Sequence, residues 1–394
     1  MTLFRAIPPF RADVVGSYLR PDYLHEARRQ FAAGAIDQAA LTAVEDRAIT
    51  ELVARQKAVG LRGVTDGEFR RSWWHLDFMW GLQGVEKALL ERGYRFAEME
   101  TRPETARLTG EIGGSGHPFL QHFAFLQSLA GADAVPRLTV PAPAQFFKEL
   151  HRPENLASTQ AIYPDRQALI DAIAAAYRTF IAELYAQGCR NLQLDDCTWG
   201  MMVDPRYNNA GIAAANVSQA DGCCSHGEAT VISDSVEALA LELLQVNNKA
   251  IEGAPADLVI TTHVCRGNYR STWAAQGGYG PIAPFLFGKE NVSAYYLEFD
   301  TDRAGDFSPL AEVSGDKLVV LGLLSSKVGE LEDKQAIIGR IREATLYLPL
   351  ERLCLSTQCG FASTEEGNAL TEAQQWAKIE HIVEIAREVW GDAP

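Results

Sequence analysis

Apolar positions in this sequence follow two recurring rhythms, one continuous or alternating over a few residues, the other spaced by three and four. The first rhythm predicts eight short strands: Arg11–Ser17, Gly63–Glu68, Arg137–Pro143, Asn191–Asp196, the stretch Leu258–Asn268, Val292–Glu298, Lys317–Leu323 and Leu353–Thr357. Several are unbroken Val/Leu/Ile runs, the pattern of parallel strands covered on both faces. The second rhythm predicts helices over Ile36–Val59, Trp73–Leu82, Pro164–Gln187, Ser233–Ala250, 331–347 and 371–390. Strand followed by helix, repeated, predicts a (β/α)8 TIM barrel, with residues 1–394 forming one domain. The alternative, an open doubly wound sheet, would carry a glycine-rich dinucleotide fingerprint, and none is present. Residues 91–135 fit no barrel element. Alternation in Tyr94–Glu100 and Ala106–Ile112 predicts an inserted hairpin there. Residues 200–230 read as a long excursion after the fourth strand.

Composition narrows the class further. With 47% hydrophobic and 22% charged residues the chain is of ordinary globular make-up. No run of eighteen apolar residues occurs, so no membrane span is expected. The opening stretch Met1–Asp13 has no apolar core of a secretory signal, so none is expected either. Seven cysteines, an odd number scattered over a large chain, suit reduced thiols in the cytoplasm better than a disulfide framework. A formal charge of −15 would repel nucleic acid.

The chemistry lies where the strands stop. In a barrel, the carboxyl ends of the strands converge on one mouth. Here those ends carry Ser17, Asp66-Gly-Glu68, Asp195-Asp196, His263-Val-Cys265, Glu298, Ser325-Ser-Lys327 and Cys359-Gly360. Residues two apart on a strand share a face, so His263 and Cys265 project together, and an imidazole beside a thiolate is a zinc pair in search of two more ligands. Glu298 and Cys359 are the best candidates. Such a set, spread over positions 263 to 359, assembles only when the sheet does, unlike a local zinc ribbon. A zinc dication with two thiolates and one carboxylate carries a net negative charge. It generates hydroxide poorly, yet it can bind an incoming thiol and keep its thiolate nucleophilic, which points to alkyl transfer onto sulfur.

At these residues the sequence resembles the catalytic, C-terminal barrel of cobalamin-independent methionine synthases, and above all the short single-barrel relatives. The resemblance runs nearly the full chain. It rests on Val15-Gly-Ser17, Gly67-Glu68 with Arg71, Leu192-Gln-Leu-Asp195, His263-x-Cys265, Leu297-Glu298 with Arg303, and Gln358-Cys359-Gly360. It implies zinc held by His263, Cys265, Glu298 and Cys359, and homocysteine as the thiol substrate, methylated to methionine. It also implies that Glu68 and Asp195 pair with the ammonium of homocysteine and that Ser17 meets its carboxylate. Three departures stand out. The N-terminal barrel that helps hold the folate donor in full-length members is not found here. The segment that usually reads Asp-x-His-Ser is Ser325-Ser-Lys-Val328, without the acid histidine. The family's Asp-Glu-Pro is Asp195-Asp-Cys197. All three fall on or next to the methyl-donor side, so the donor, of the 5-methyltetrahydrofolate type or a methylated corrinoid, is the open half.

Each assignment has a plainer competitor. Glu298 can serve as an outer partner of the ligands, Glu68 can pair with Arg70 or Arg71, Asp196 competes with Asp195, and Ser17 can be a turn residue. Trp73, Trp74 and Trp199 read as packing residues, Cys223-Cys224 with His226 as incidental, and Lys327 as a solvated loop lysine rather than a proton donor. Two rival functions remain: a thiol-to-epoxide transferase similar to the epoxyalkane:coenzyme M enzymes, and a non-catalytic barrel with a structural zinc.

Overall fold

The computed structural model describes residues 5–97, 99–204 and 236–391. Its centre is a six-stranded parallel sheet of β5 (Leu138–Pro141), β6 (Asn191–Asp196), β7 (Val259–Val264), β8 (Ala294–Glu298), β9 (Leu318–Leu324) and β10 (Leu353–Thr357), hydrogen-bonded in sequential order. Only the first residue of β7 and of β9 is less than fully buried. That is why these strands read as unbroken apolar runs. Helices Arg166–Ala186, Val236–Ile251, Lys334–Ala344 and Glu372–Trp390 pack outside. Asp165 caps the first of them by accepting from the Gln167 and Ala168 amides, and Thr371 opens the last with a capping box.

The first two expected strands are not regular strands. Gly63–Val64 forms only the two-residue β1, paired in parallel with β4 (Val135–Pro136), which runs into β5. Segment 11–18 makes isolated parallel bridges, Ala12 to Leu355 of β10 and Ser17 to Gly67. The physical reason is that side chains, rather than a neighbouring strand, take up much of its backbone. Arg137 donates to the Val14 carbonyl, Gln193 to that of Val15 (2.7 Å) and Thr65 to that of Gly16 (2.6 Å). Through segment 11–18, β1 and β4, hydrogen bonds connect the β10 edge of the sheet to the β5 edge.

The expected hairpin is real but displaced. Its strands are β2 (Gln83–Leu89) and β3 (Glu104–Gly113), paired antiparallel, while residues 94–100 contribute only an isolated bridge. β2 is mostly exposed and held by its backbone ladder, so no apolar alternation announces it. Phe119–Ala130 is a helix, as its buried Phe119, Leu120, Phe123, Leu126 and Ala130 spacing requires. The helix expected from Trp73 begins only at Leu76. The expected 200–230 excursion lies almost wholly outside the described residues, as do Cys223, Cys224 and His226. No described helix is long and apolar enough to cross a membrane.

Against the inner face of the sheet, Arg137 and Asp13 form an ion pair at 2.9 Å with both side chains fully buried. The Tyr296 hydroxyl from β8 lies between them, 2.6 Å from the guanidinium and 2.9 Å from the carboxylate. Removing one charge strands the other in a low-dielectric interior. Asp13→Asn should therefore cost about 3–5 kcal/mol, read as a lower urea midpoint, and an unchanged midpoint would show that the pair does not hold the sheet edges together.

Candidate metal and substrate site

The carboxyl ends of the strands surround a cavity of about 280 Å³. Its lining includes the polar Ser17, Glu68, Asp195, Cys197, His263, Cys265 and Cys359 and the aromatic Trp73, Trp74, His75, Tyr94, Phe96 and Tyr269. Parallel register does the placing: Asp195 lies opposite His263, and His263 opposite Tyr296. Period-two geometry then puts Cys265 on the face of His263. Cys359 arrives from the turn after β10, where Asn268 and Ser326 both donate to the Gly360 carbonyl (2.7 and 2.8 Å). A side chain at Gly360 would meet Ser17 Oγ at 2.0 Å, so only glycine lets that turn approach Ser17.

His263, Cys265 and Cys359 form a buried group whose ligand atoms lie within 4.8 Å of one another. His263 Nδ1–H donates to the Tyr296 carbonyl at 3.2 Å, which leaves Nε2 with its lone pair free and, though buried, without a hydrogen-bond partner. The two sulfurs are 3.7 Å apart. Tetrahedral zinc with Zn–S bonds of about 2.3 Å would hold two sulfurs about 3.8 Å apart. The group fits a thiophilic metal ion. Cys265 is pushed well above the ordinary thiol range, first by a hydrogen bond with Cys197 and then by burial, and Cys359 by its hydrogen bond with Cys265 and by burial.

Glu298 is not drawn into this group. Its Oε1 accepts from the Arg266 amide at 3.1 Å and its Oε2 faces Arg303 at 3.4 Å. Burial pushes its carboxyl up, but Lys327, Arg266 and Arg303 outweigh that and hold it below the usual range. Lys327 itself is a correction to the sequence reading. It is buried rather than solvated, and its Nζ has no hydrogen-bond partner.

Two carboxylates lining the cavity, Glu68 and Asp195, are both pushed up to about 7. For Glu68 the causes are burial and the charge of Asp195, opposed by Arg71 and by the Thr139 hydroxyl, which donates to Oε1 at 2.8 Å. For Asp195 the cause is burial, opposed by the Gln193 side chain, which donates at 2.7 Å, and by Arg71 and Arg137. Glu68 pairs with Arg71 at 3.4 Å, while Arg70 is taken by Glu45 and Asp46. Glu68 Oε2 is buried without a partner. Its backbone, at φ +61, occupies the left-handed region that a glutamate enters only when its surroundings hold it there. Arg20 does the holding by donating to the Glu68 carbonyl at 2.8 Å. Asp196, in contrast, turns away to Thr198 (2.8 Å from its amide) and Asn247 (2.9 Å). Ser17 Oγ accepts from the Ala362 amide at 3.2 Å while lining the cavity. Trp73 and Trp74 line the cavity; Trp199 is a fully buried packing residue.

Sequence reasoning missed part of the lining. Gln145, Lys148 and Glu149 come from helix Pro143–Leu150, and Tyr94 and Thr101 from the loop between the hairpin strands. The Tyr94 hydroxyl donates to Glu149 at 2.8 Å and ties the two together. Polar residues interrupting a short apolar helix just after a strand end were the available signal.

No family model matches the chain. The uncharacterized protein YxjH of Bacillus subtilis (strain 168) is 42% identical over 97% of this chain and 95% of its own length. Among solved structures, a putative vitamin-B12 independent methionine synthase from Listeria monocytogenes is 36% identical and superposes with a TM-score of 0.74, covering 98% of this chain and 100% of that one. A B12-independent methionine synthase from Shewanella sp. W3-18-1, in complex with selenomethionine, shares the fold at 17% identity, with a TM-score of 0.67 over 96% of this chain and 97% of that one. With a mixed α/β architecture, a parallel sheet and a His/Cys/Cys group at its strand ends, the chain belongs to the cobalamin-independent methionine synthase family, among its short members.

Proposed function

We propose that this protein transfers a methyl group to the thiol of homocysteine, giving methionine, on a closed (β/α)8 barrel in which residues 1–394 work as one cytoplasmic unit. The hydrogen bonds linking the two sheet edges through segment 11–18 and β1/β4 support the barrel. The observation that carries the functional reading is the meeting, in one cavity, of a buried His/Cys/Cys group and two carboxylates raised to about 7. Such a carboxylate pair calls for a cation, and an amino-acid thiol brings one: its ammonium.

Zinc, held by His263, Cys265 and Cys359 with Glu298 as the fourth or an outer partner, would supply a centre that binds the substrate sulfur and lowers its pKa. Glu68 and Asp195 take the ammonium, and the partnerless Oε2 of Glu68 is the free acceptor for it. Ser17, already oriented by the Ala362 amide, offers its hydroxyl to the substrate carboxylate. Trp73, Trp74 and Tyr269 wall the cavity and keep water from the thiolate. The methyl donor, of the 5-methyltetrahydrofolate type, enters across this aromatic wall. A sulfonate thiol would bring no ammonium and would face the same carboxylates with a second negative charge, so the coenzyme M-type reading is the weaker one.

Zinc-loaded protein incubated with homocysteine and, in parallel, a methylated folate, a methylated corrinoid and a sulfonium donor should form methionine with the folate. No methionine with any of the three, together with no binding of a homocysteine analogue, would overturn the reading. Glu68→Gln should raise KM for homocysteine by roughly ten- to a hundredfold, the loss of one charge-assisted contact worth about 1.5–3 kcal/mol. An unchanged KM removes Glu68 from the substrate. Chelation should abolish thiol binding and leave the far-ultraviolet circular dichroism intact, whereas a purely structural zinc would take the fold with it.

A further inference from the structure

His75 lines the cavity but belongs to neither the metal group nor the Glu68–Asp195 pair. It stands immediately before the helix Leu76–Gly81, where the Met79 amide donates to its carbonyl at 3.1 Å. Asp77 steadies the approach by accepting from the Ser72 and Trp73 amides at 3.2 and 2.8 Å. His75 is only 4% exposed, and its ring packs against Trp74, Tyr94 and Trp73 with centroids 4.5, 5.6 and 5.7 Å away. A hydrogen-bond chain sets its tautomer. His75 Nε2 lies 3.3 Å from the Tyr94 hydroxyl, whose single proton goes to Glu149 at 2.8 Å. Thr105 and Arg152 also donate to Glu149 and hold that carboxylate in place. Nε2 therefore carries a proton and donates it to Tyr94, which leaves the lone pair on Nδ1. Burial, then the charge of Arg152, lowers the imidazole to about 3, so the ring is neutral. Nδ1 is buried and has no hydrogen-bond partner among the described residues, and the same holds for Gln145 Oε1 in the same lining. Both unmet groups are acceptors, and a buried acceptor left unpaired is costly. With Trp74, Phe96 and Tyr269 in that lining, they suit a flat heteroaromatic ring that carries N–H donors on its edge.

We propose that His75 Nδ1, fixed as an acceptor by Tyr94 and Glu149, receives a ring N–H of the methyl donor and so selects donors carried on an N–H-bearing heteroaromatic ring, with Gln145 Oε1 as the second acceptor. The inference rests on the methyl-transfer reading above and extends it to the second substrate. Selection works through what is left unpaired. A ring without the N–H leaves Nδ1 orphaned, and sites built to hydrogen-bond a substrate N–H reject analogues that lack it. Tyr94 and Glu149 act as positioning residues, since they hold the tautomer without touching the ring that binds.

The test is calorimetric binding of two probes to the full-length protein: pterin, whose ring N–H and amino group are donors, and a pterin methylated at both nitrogens so that neither N–H remains. The wild type should bind pterin about tenfold or more tightly than the methylated probe, the discrimination expected of a buried acceptor left unpaired. His75→Leu should weaken pterin by about tenfold, leave the methylated probe nearly unchanged and leave homocysteine binding as it is. His75→Asn, whose side-chain oxygen can stand where Nδ1 does, should restore most of the loss. If His75→Leu fails to fold, His75→Gln replaces it, since its amide can keep the bond to Tyr94 while offering no acceptor at the Nδ1 position. No pterin binding by the wild type, equal affinity for the two probes, or a loss in the variant shared equally by both probes overturns the inference. Homocysteine binding retained in those cases leaves the methyl-transfer reading standing, whereas a wild type that neither binds homocysteine nor forms methionine overturns that reading itself.

Discussion

The structure depends on a single buried charge pair. Asp13 and Arg137 are closed off from water and joined by the Tyr296 hydroxyl of β8. Two isolated charges there would cost several kcal/mol each, so neither segment 11–18 nor the β4–β5 junction can leave without the other. The same guanidinium reaches the Val14 carbonyl, and Gln193 reaches that of Val15. Between them they fix the irregular segment that ends in Gly16-Ser17. Gln193 also donates to Asp195. The bonds that link the sheet edges therefore also set the position of Asp195, a carboxylate lining the cavity.

Above this node the strand ends separate their charges by geometry. Alternation sends Asp195 into the cavity and Asp196 to the Asn247 side, where Glu290 is raised to about 8 by burial and by the charge of Asp196. Cations are segregated too. Arg266, Arg303 and Lys327 surround Glu298, and Arg71 and Arg20 surround Glu68. What remains without compensation is the sulfur cluster and the inner edge of the Glu68–Asp195 pair. Both lie in the same cavity.

The parts legible in the sequence are those whose burial is uniform. Asn191–Asp196 and Val259–Val264 declare themselves because both faces are covered, and polar residues at their ends are conspicuous against that background. The hairpin was misplaced because β2 is an exposed ribbon with no core to pattern it. Segment 11–18 looked like a strand because its residues are buried, although side chains, not a ladder, satisfy much of its backbone. Lys327 looked solvated because nothing local reveals that a lysine after a strand end is roofed by other elements.

Backbone conformation adds an argument that composition could not. Glu68 sits at φ +61 directly after Gly67 at φ +67, so two successive residues take the left-handed conformation and only the first is a glycine. A glutamate there costs of order 1–3 kcal/mol relative to a residue without the constraint. Arg20, fully buried and lowered to about 10 by burial and by Arg28, spends two of its bonds on the carbonyls of Glu68 and Arg71 to maintain it. A structural salt bridge to Arg71 alone would not need that strain, because a carboxylate can reach Arg71 from many relaxed backbones. In that conformation Oε1 accepts from Thr139 and Oε2 is buried without a partner. The carboxylate so held lines the cavity, where burial and the charge of Asp195 raise it to about 7.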